Sequence, residues 1–312
     1  MRWHRQHRYS PCVLAKVSAR FLLCLTLLLA PVAWAGNVTL LLSDSAGPYA
    51  EFSSTFSEAL NSRRWSIHLV PKADAYTPGA PTADLIVTAG SEALRQALQR
   101  APPGTPILAT LLPRQTFERL LNEAPRAKRQ LTALVLDQPP ARLSAFIRHL
   151  LPGQSRIGVL SSSETRHLLP TLRQSSAGLQ FENEDADNDA ALLTALNNLL
   201  PRVGVLLALP DASIYRRESI KSILITTYRQ QRPVIAYSSA FVTAGALAAV
   251  YSTPAQIARQ ATQLIEQTGT LPAIVYPSQF AIAINANVAQ ALGLNVADEA
   301  SLRQRLLGEG GQ

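Results

Sequence analysis

From Val38 to Ala236 the chain alternates short aliphatic runs with longer stretches whose apolar residues recur at helical spacing, and Pro, Gly or Ser marks most of the changes. Strands separated by helices cannot pair through hairpins. They build parallel sheets with right-handed crossovers and helices on both faces. The first series predicts strands at Val38–Leu42, Ser66–Val70, Asp84–Thr88, Pro106–Thr110 and Leu131–Leu136, with helices at Tyr49–Leu60, Glu92–Gln99 and Gln115–Asn122. Pro139-Pro140 then interrupts the chain and the alternation restarts. The second series predicts helices at Ala141–Leu151, from Glu164 towards Leu172, at Ala190–Leu200 and at Ser213–Gln230. Its strands are expected at Arg156–Leu160, Gly178–Phe181, Val203–Leu209, Pro233–Ala236 and Leu247–Val250. The fold class is therefore α/β, with two doubly wound parallel-sheet lobes.

Charge and cysteine placement bear on compartment. The formal charge of +8 would suit nucleic acid if it were spread along the chain. Instead, residues 1–35 hold Arg2, Arg5, Arg8, Lys16 and Arg20 with no acid, leaving 24 basic and 21 acidic side chains in the 277 residues that follow. That near-balance gives no electrostatic footprint for DNA or RNA. The basic stretch leads into the apolar run Phe21–Ala30, then Pro31 and Ala33-Trp34-Ala35 before Gly36. Basic, apolar and small-residue parts in that order are those of a secretory signal peptide, here cut after Ala35. From Phe21 to Ala35 there are 15 residues, short of the roughly 20 that cross a bilayer. The expected product is a periplasmic protein. Cys12 and Cys24 both fall in the removed segment, which excludes disulfides, thiolate metal sites and cysteine nucleophiles from the remainder.

Open parallel sheets bind ligands beyond the carboxyl ends of their strands. In the first lobe that rule selects Ser43, Ser45, Gly90, Ser91 and Thr110. In the second it selects Ser163, Glu164, Asp211, Tyr237 and Phe241. Ser, Asp and Gly are also the commonest helix caps and turn residues, so each position has two readings. As a set, small hydroxyls and a few acids on two facing lobes suit a small polar or zwitterionic ligand. Asp211 follows an apolar strand, and either receives a cationic ligand group or caps a helix beginning near Ser213.

The chain has no G-x-S-x-G elbow, no H-E-x-x-H, no Walker loop and no G-x-G-x-x-G after a strand. His68 and His149 fall in a strand and a helix. His167 lies one turn after Ser163, where a solvated helix residue is a simpler reading than a Ser–His pair. In the acidic cluster Glu182, Glu184, Asp185, Asp187 and Asp189 the last three open like a calcium loop, but Ala190 and Leu196 stand where that loop needs Gly and Glu. These acids are expected to flank a helix N-terminus. No catalytic residue, metal or cofactor is expected.

Several pieces of the chain resemble a known series. They are Val203–Asp211, Pro233–Ala236, Gly245–Ala248, Phe280–Asn285 and Ala289–Leu294, with Leu131–Leu136, Arg156–Leu160 and Ser163-Glu164 before them. In this order they are similar to the ABC-transporter substrate-binding proteins that include the tryptophan-import binding proteins. The resemblance implies a type I periplasmic-binding-protein fold whose two hinged lobes close over a small ligand. Residues 36–137 with 252–271 would form lobe 1, and 138–251 with 272–312 lobe 2. The crossings would lie near Leu136–Pro140, Val250–Pro254 and Thr270–Ala273. Gly90-Ser91 would match the family's Gly-Thr turn, and Ser163-Glu164 with Asp211 its second-lobe strand ends. Asp211 would take an amino group, Ser91 and Ser163 a carboxylate, and Tyr237 with Phe241 an apolar or aromatic side chain. Ser161-Ser162 replaces the family's more usual Asn-Pro. The implied partners are an ABC permease in the inner membrane or, for a sensing module of the same shape, an envelope receptor. The protein is expected to be a monomer.

Overall fold

Strand β1 (Gly36–Leu42) shows how the sequence sorts itself into layers: Val38, Leu40 and Leu42 enter one hydrophobic cluster while Leu41 enters the cluster on the opposite face. A strand apolar on both faces needs helices on both faces, and the chain supplies them. The computed structural model describes residues 36–78, 82–124, 130–267 and 269–309. The expected leader, residues 1–35, lies outside them. After β1 come α1 (Pro48–Ala59), β2 (Trp65–Val70), β3 (Leu85–Ala89), α2 (Ser91–Arg100), β4 (Ile107–Thr110), α3 (Arg114–Glu123) and β5 (Leu131–Leu134). The second series is α4 (Pro140–Leu150), β6 (Arg156–Ser161), α5 (Leu169–Gln174), β7 (Gln180–Asp185), α6 (Asp189–Leu199), β8 (Val205–Leu207), α7 (Arg217–Arg229), β9 (Val234–Ala236), α8 (Ser239–Ala244) and β10 (Ala248–Tyr251). Then follow α9 (Pro254–Glu266), β11 (Ile274–Val275), β12 (Ala281–Ile284), α10 (Ala286–Ala291) and α11 (Glu299–Glu309).

The strands form two six-stranded sheets, ordered β11-β5-β4-β3-β1-β2 and β12-β10-β9-β8-β6-β7. All pairings are parallel except β10 with β12. In the first lobe, Phe52 and Phe56 of α1 share a cluster with Ile257, Ala258 and Ala261 of α9. Helices α2 and α3 cover the other face through Leu94, Leu98, Phe117 and Leu120. In the second lobe, α4, α5 and α11 pack one face, and α6, α7 and α8 the other. Among the described residues no helix is long and apolar enough to cross a membrane.

The chain passes between the sheets three times. The first crossing follows β5 and ends at Pro140. The second follows β10, where Thr253 and Gln256 form a reciprocal capping box and Pro254 occupies the first turn of α9. The third differs from the expectation. Ile274 and Val275 pair with Ala133 and Leu134 in the first sheet, so the crossing lies between Val275 and Ala281, not at Thr270–Ala273. Three other expectations are corrected. Of the acids expected at a helix N-terminus, Asp187 and Asp189 do stand at the start of α6, but Glu182, Glu184 and Asp185 lie in β7 at a sheet edge. Helix α7 begins at Arg217, not Ser213. After Ser163 the chain makes a turn and a short 3-10 segment, Arg166–Leu168, before α5.

The crossings are stitched by polar side chains. Gln138 Nε2 donates to Ser252 Oγ at 3.0 Å, and Ser252 Oγ donates to the Gln279 carbonyl at 2.7 Å. Arg142 Nη1 donates to Gln138 Oε1 and to the Pro277 carbonyl, at 2.7 and 2.9 Å. One network therefore spans all three connections and fixes the hinge on which the lobes meet.

Candidate functional site between the lobes

The strand-end residues of lobe 1 are largely engaged within that lobe. Ser43 Oγ accepts the Ala93 N–H at 2.9 Å and so caps α2. Gly90 has φ +93°, and a Cβ there would lie 2.6 Å from Ser43 Oγ and 2.7 Å from the Tyr49 ring. Only glycine fits that turn. Burial pushes the Tyr49 hydroxyl pKa up, Asp44 adds to the shift, and a hydrogen bond with Ser43 opposes it. Thr110 is fully buried and donates to the Thr88 carbonyl at 2.8 Å. Ser45 and Ser91 are exposed.

Asp211 is engaged in the same way in lobe 2. It is 3% exposed. Its Oδ2 accepts hydrogen bonds from Ser162 Oγ at 2.8 Å and Thr165 Oγ1 at 2.6 Å. Its Oδ1 accepts from Ser213 Oγ and from the Ser213 and Ile214 amides, at 2.6, 3.0 and 3.3 Å. Five donors occupy both oxygens, so this carboxylate ties the β6 and β8 ends together and leaves little capacity for a ligand amino group. Ser163 donates its N–H to Asp187 at 2.6 Å. Ser163 and His167 do not pair in the structure: His167 Nε2 lies 2.8 Å from Glu118 of lobe 1.

Beside the hinge the two lobes enclose a cavity of about 50 Å³. Lobe 1 contributes Arg114 at the start of α3, Leu136 and Asp137 after β5, and Tyr276 after β11. Lobe 2 contributes Leu172, Leu209, Pro210, Tyr237 and Val250 among others. Of the ten residues selected from the sequence, Tyr237 alone lines this space. Phe241 is buried behind it, and Tyr215, Tyr237 and Phe241 meet edge to face with ring centroids 5.7–6.0 Å apart. Tyr215 Oη is buried without a hydrogen-bond partner among the described residues, and burial, helped by Tyr237 and Asp211, pushes its pKa well above the usual phenol range.

The charged groups of the cavity, Arg114 and Asp137, come from lobe 1. Arg114 Nε donates to Glu118 Oε1 at 2.7 Å and Nη1 to the Tyr276 hydroxyl at 3.1 Å, with no hydrogen bond from Nη2 among the described residues. Asp137 Oδ2 accepts the Arg114 backbone N–H at 2.7 Å, which satisfies one of the free amides of α3. Burial outweighs that bond and the nearby guanidinium, so the Asp137 pKa is pushed up to about 6. An apolar space bounded by a guanidinium edge, a weakly acidic carboxylate and two phenols can hold a small molecule with an apolar body and a charged or polar end. Arg114, Asp137 and Tyr276 escaped the sequence reading. The signal for Asp137 was its place after a buried strand and just before Pro139-Pro140.

No protein-family model matches the sequence, and no curated protein matches it. Solved structures do. A substrate binding protein with adhesive properties from Clostridium difficile, in its ligand-free open form, aligns with a TM-score of 0.62 at 15% identity, over 85% of this chain and 97% of that one. An ABC domain from Streptococcus pneumonia in complex with L-Trp aligns at 0.58 and 15% identity, over 87% and 98%. A conserved domain protein from Vibrio cholerae aligns at 0.54 and 16% identity, over 87% and 98%. At such identities the likeness speaks for architecture: two mostly parallel α/β lobes and three crossings give this chain the type I periplasmic-binding-protein fold.

Proposed function

We propose that this is a solute-binding protein of the cell envelope that captures a small ligand in the hinge-side cavity and delivers it to an ABC permease. The observation that carries the reading is the cavity itself, which is built from both lobes and has unspent polar capacity on one wall. A ligand there touches both lobes only when they are closed, so it favours closure by its difference in affinity for the two states. At about 50 Å³ the space holds a few waters, so a ligand of amino-acid size enters only when the lobes part. Arg114 would hold a carboxylate or another anionic group through Nη2, and Asp137 a cationic group. Tyr237 and the leucines would cover an apolar side chain. Asp211 supports this wall through its turn without touching the ligand.

A thermal-shift screen over amino acids, small carboxylates, amines, nucleosides and vitamins tests the proposal. A ligand at 100 times its Kd should add about 2.7 kcal/mol of stability. For the compound found, Arg114→Gln should weaken binding about 10- to 100-fold, the worth of a charge-assisted hydrogen bond in a closed site. Unchanged affinity in both Arg114→Gln and Tyr237→Ala would move the ligand out of this cavity. Export is tested separately: the intact mass of the secreted product should correspond to a chain starting at Gly36.

A further inference from the structure

On the outer side of Arg114, helix α3 touches the second lobe at two points. Glu118 Oε2 lies 2.8 Å from His167 Nε2, and Arg119 Nε lies 3.8 Å from Glu164 Oε1. Glu118 is in addition fixed from behind, because its other oxygen accepts the Arg114 Nε–H at 2.7 Å. A carboxylate held by a guanidinium on one oxygen presents the other in a defined direction, and here that direction is across the cleft. A groove of about 650 Å³ between α3 and residues 163–167 keeps the contact open to solvent and protons.

We propose that Glu118 is a positioning residue that latches the lobes through His167, so that closure strengthens when the imidazole is protonated. The charges around the imidazole leave Glu118 as its partner. Arg114 and Arg119 flank Glu118 on α3, and Arg119 is shared between Glu123 and Glu164. On the segment that carries His167, Glu164 faces Arg119, and Arg166 is turned to Asp185 and Asp187. Neutral imidazole can still donate one hydrogen bond to Glu118, whereas imidazolium adds a full charge to it. Imidazoles change charge between about pH 5 and 8. For a partly exposed pair the gain amounts to about two- to five-fold in the ratio of closed to open molecules. Lobe closure as the working motion rests on the function proposed above, but the latch is a property of the empty protein and is tested without a ligand.

The test is pulsed electron–electron distance measurement on the full chain. Cys12 and Cys24 are changed to serine, and nitroxides are placed at Ser57→Cys on α1 and Thr194→Cys on α6, both exposed positions. The ratio of closed to open molecules is expected to rise about two- to five-fold from pH 8 to pH 5.5 at low salt. His167→Gln and Glu118→Gln should flatten that response. His167→Lys, charged throughout the range, should hold the closed population high at both pH values, which a purely structural role for His167 would not produce. The response should persist in Asp137→Asn, which removes the cleft carboxyl whose pKa burial raises to about 6. A wild type that does not respond to pH, or a response that survives His167→Gln, overturns the latch.

Discussion

Asp211→Ala should lower the unfolding free energy of the second lobe by about 3–5 kcal/mol, the range for breaking a buried polar network around a charge. The carboxylate is 3% exposed and accepts from two hydroxyls on the β6 side and from one hydroxyl and two amides on its own turn. Removing it strands several donors that water cannot reach, and each costs about 1–3 kcal/mol when left unmade. Asp211→Asn should be milder. Its carbonyl can replace Oδ1 for the Ser213 and Ile214 amides, but its NH2 meets two hydroxyls that now donate, and they must turn. A loss of about 1–2 kcal/mol is expected. For a domain of this size the alanine variant should melt roughly 10 °C lower. Urea unfolding followed by tryptophan-independent circular dichroism gives the comparison. A stability loss below about 1 kcal/mol in Asp211→Ala would mean that the network is dispensable, and would return Asp211 to the ligand.

The alternation of the chain makes the architecture legible because a strand buried on both faces must be apolar at successive positions, as Leu40 to Leu42 are. What it hides follows the same physics. Strand β7 is an edge strand, and charged edges guard against unwanted pairing, so Glu182, Glu184 and Asp185 read as an acidic lead-in to a helix. Strand β11 is two residues long, too short for any period, and with it went the third crossing. Ser213 to Tyr215 look helical by composition, yet Asp211 holds them in a turn and α7 starts only at Arg217.

The site was legible as a place and less so as residues. The strand-end rule points to the switch between β1 and β3, where Ser43, Gly90 and Ser91 stand. The cavity instead sits toward the hinge, at the ends of β4, β5 and β8 to β10. Arg114 and Tyr276, 162 residues apart, meet only because β11 returns to the first sheet. Nothing local to either residue announces the pairing.

Asp137→Asn should stabilise the empty protein at pH 7.5 by about 3 kcal/mol, the worth of a shift of about two pKa units, while leaving it nearly unchanged at about pH 3. Burial raises the folded pKa to about 6 from an ordinary value of 3.8. Well below pH 4 the carboxyl is protonated in both folded and unfolded chains and contributes nothing. Between pH 4 and pH 6 the unfolded chain ionises and the folded one resists, so stability falls as pH rises, and above pH 6 the loss stays constant. Asparagine escapes this penalty and can still accept the Arg114 amide through its carbonyl. A half-buried charge that weakens the empty fold is intelligible if a ligand cation compensates it. Binding at pH 5.5 should then release protons from Asp137, so that calorimetric enthalpies differ between buffers of different ionisation enthalpy. At pH 7.5, where Asp137 is already ionised, the difference should vanish. Equal stability of wild type and Asp137→Asn at pH 7.5 would remove the penalty, and buffer-independent enthalpies at pH 5.5 would remove the cation.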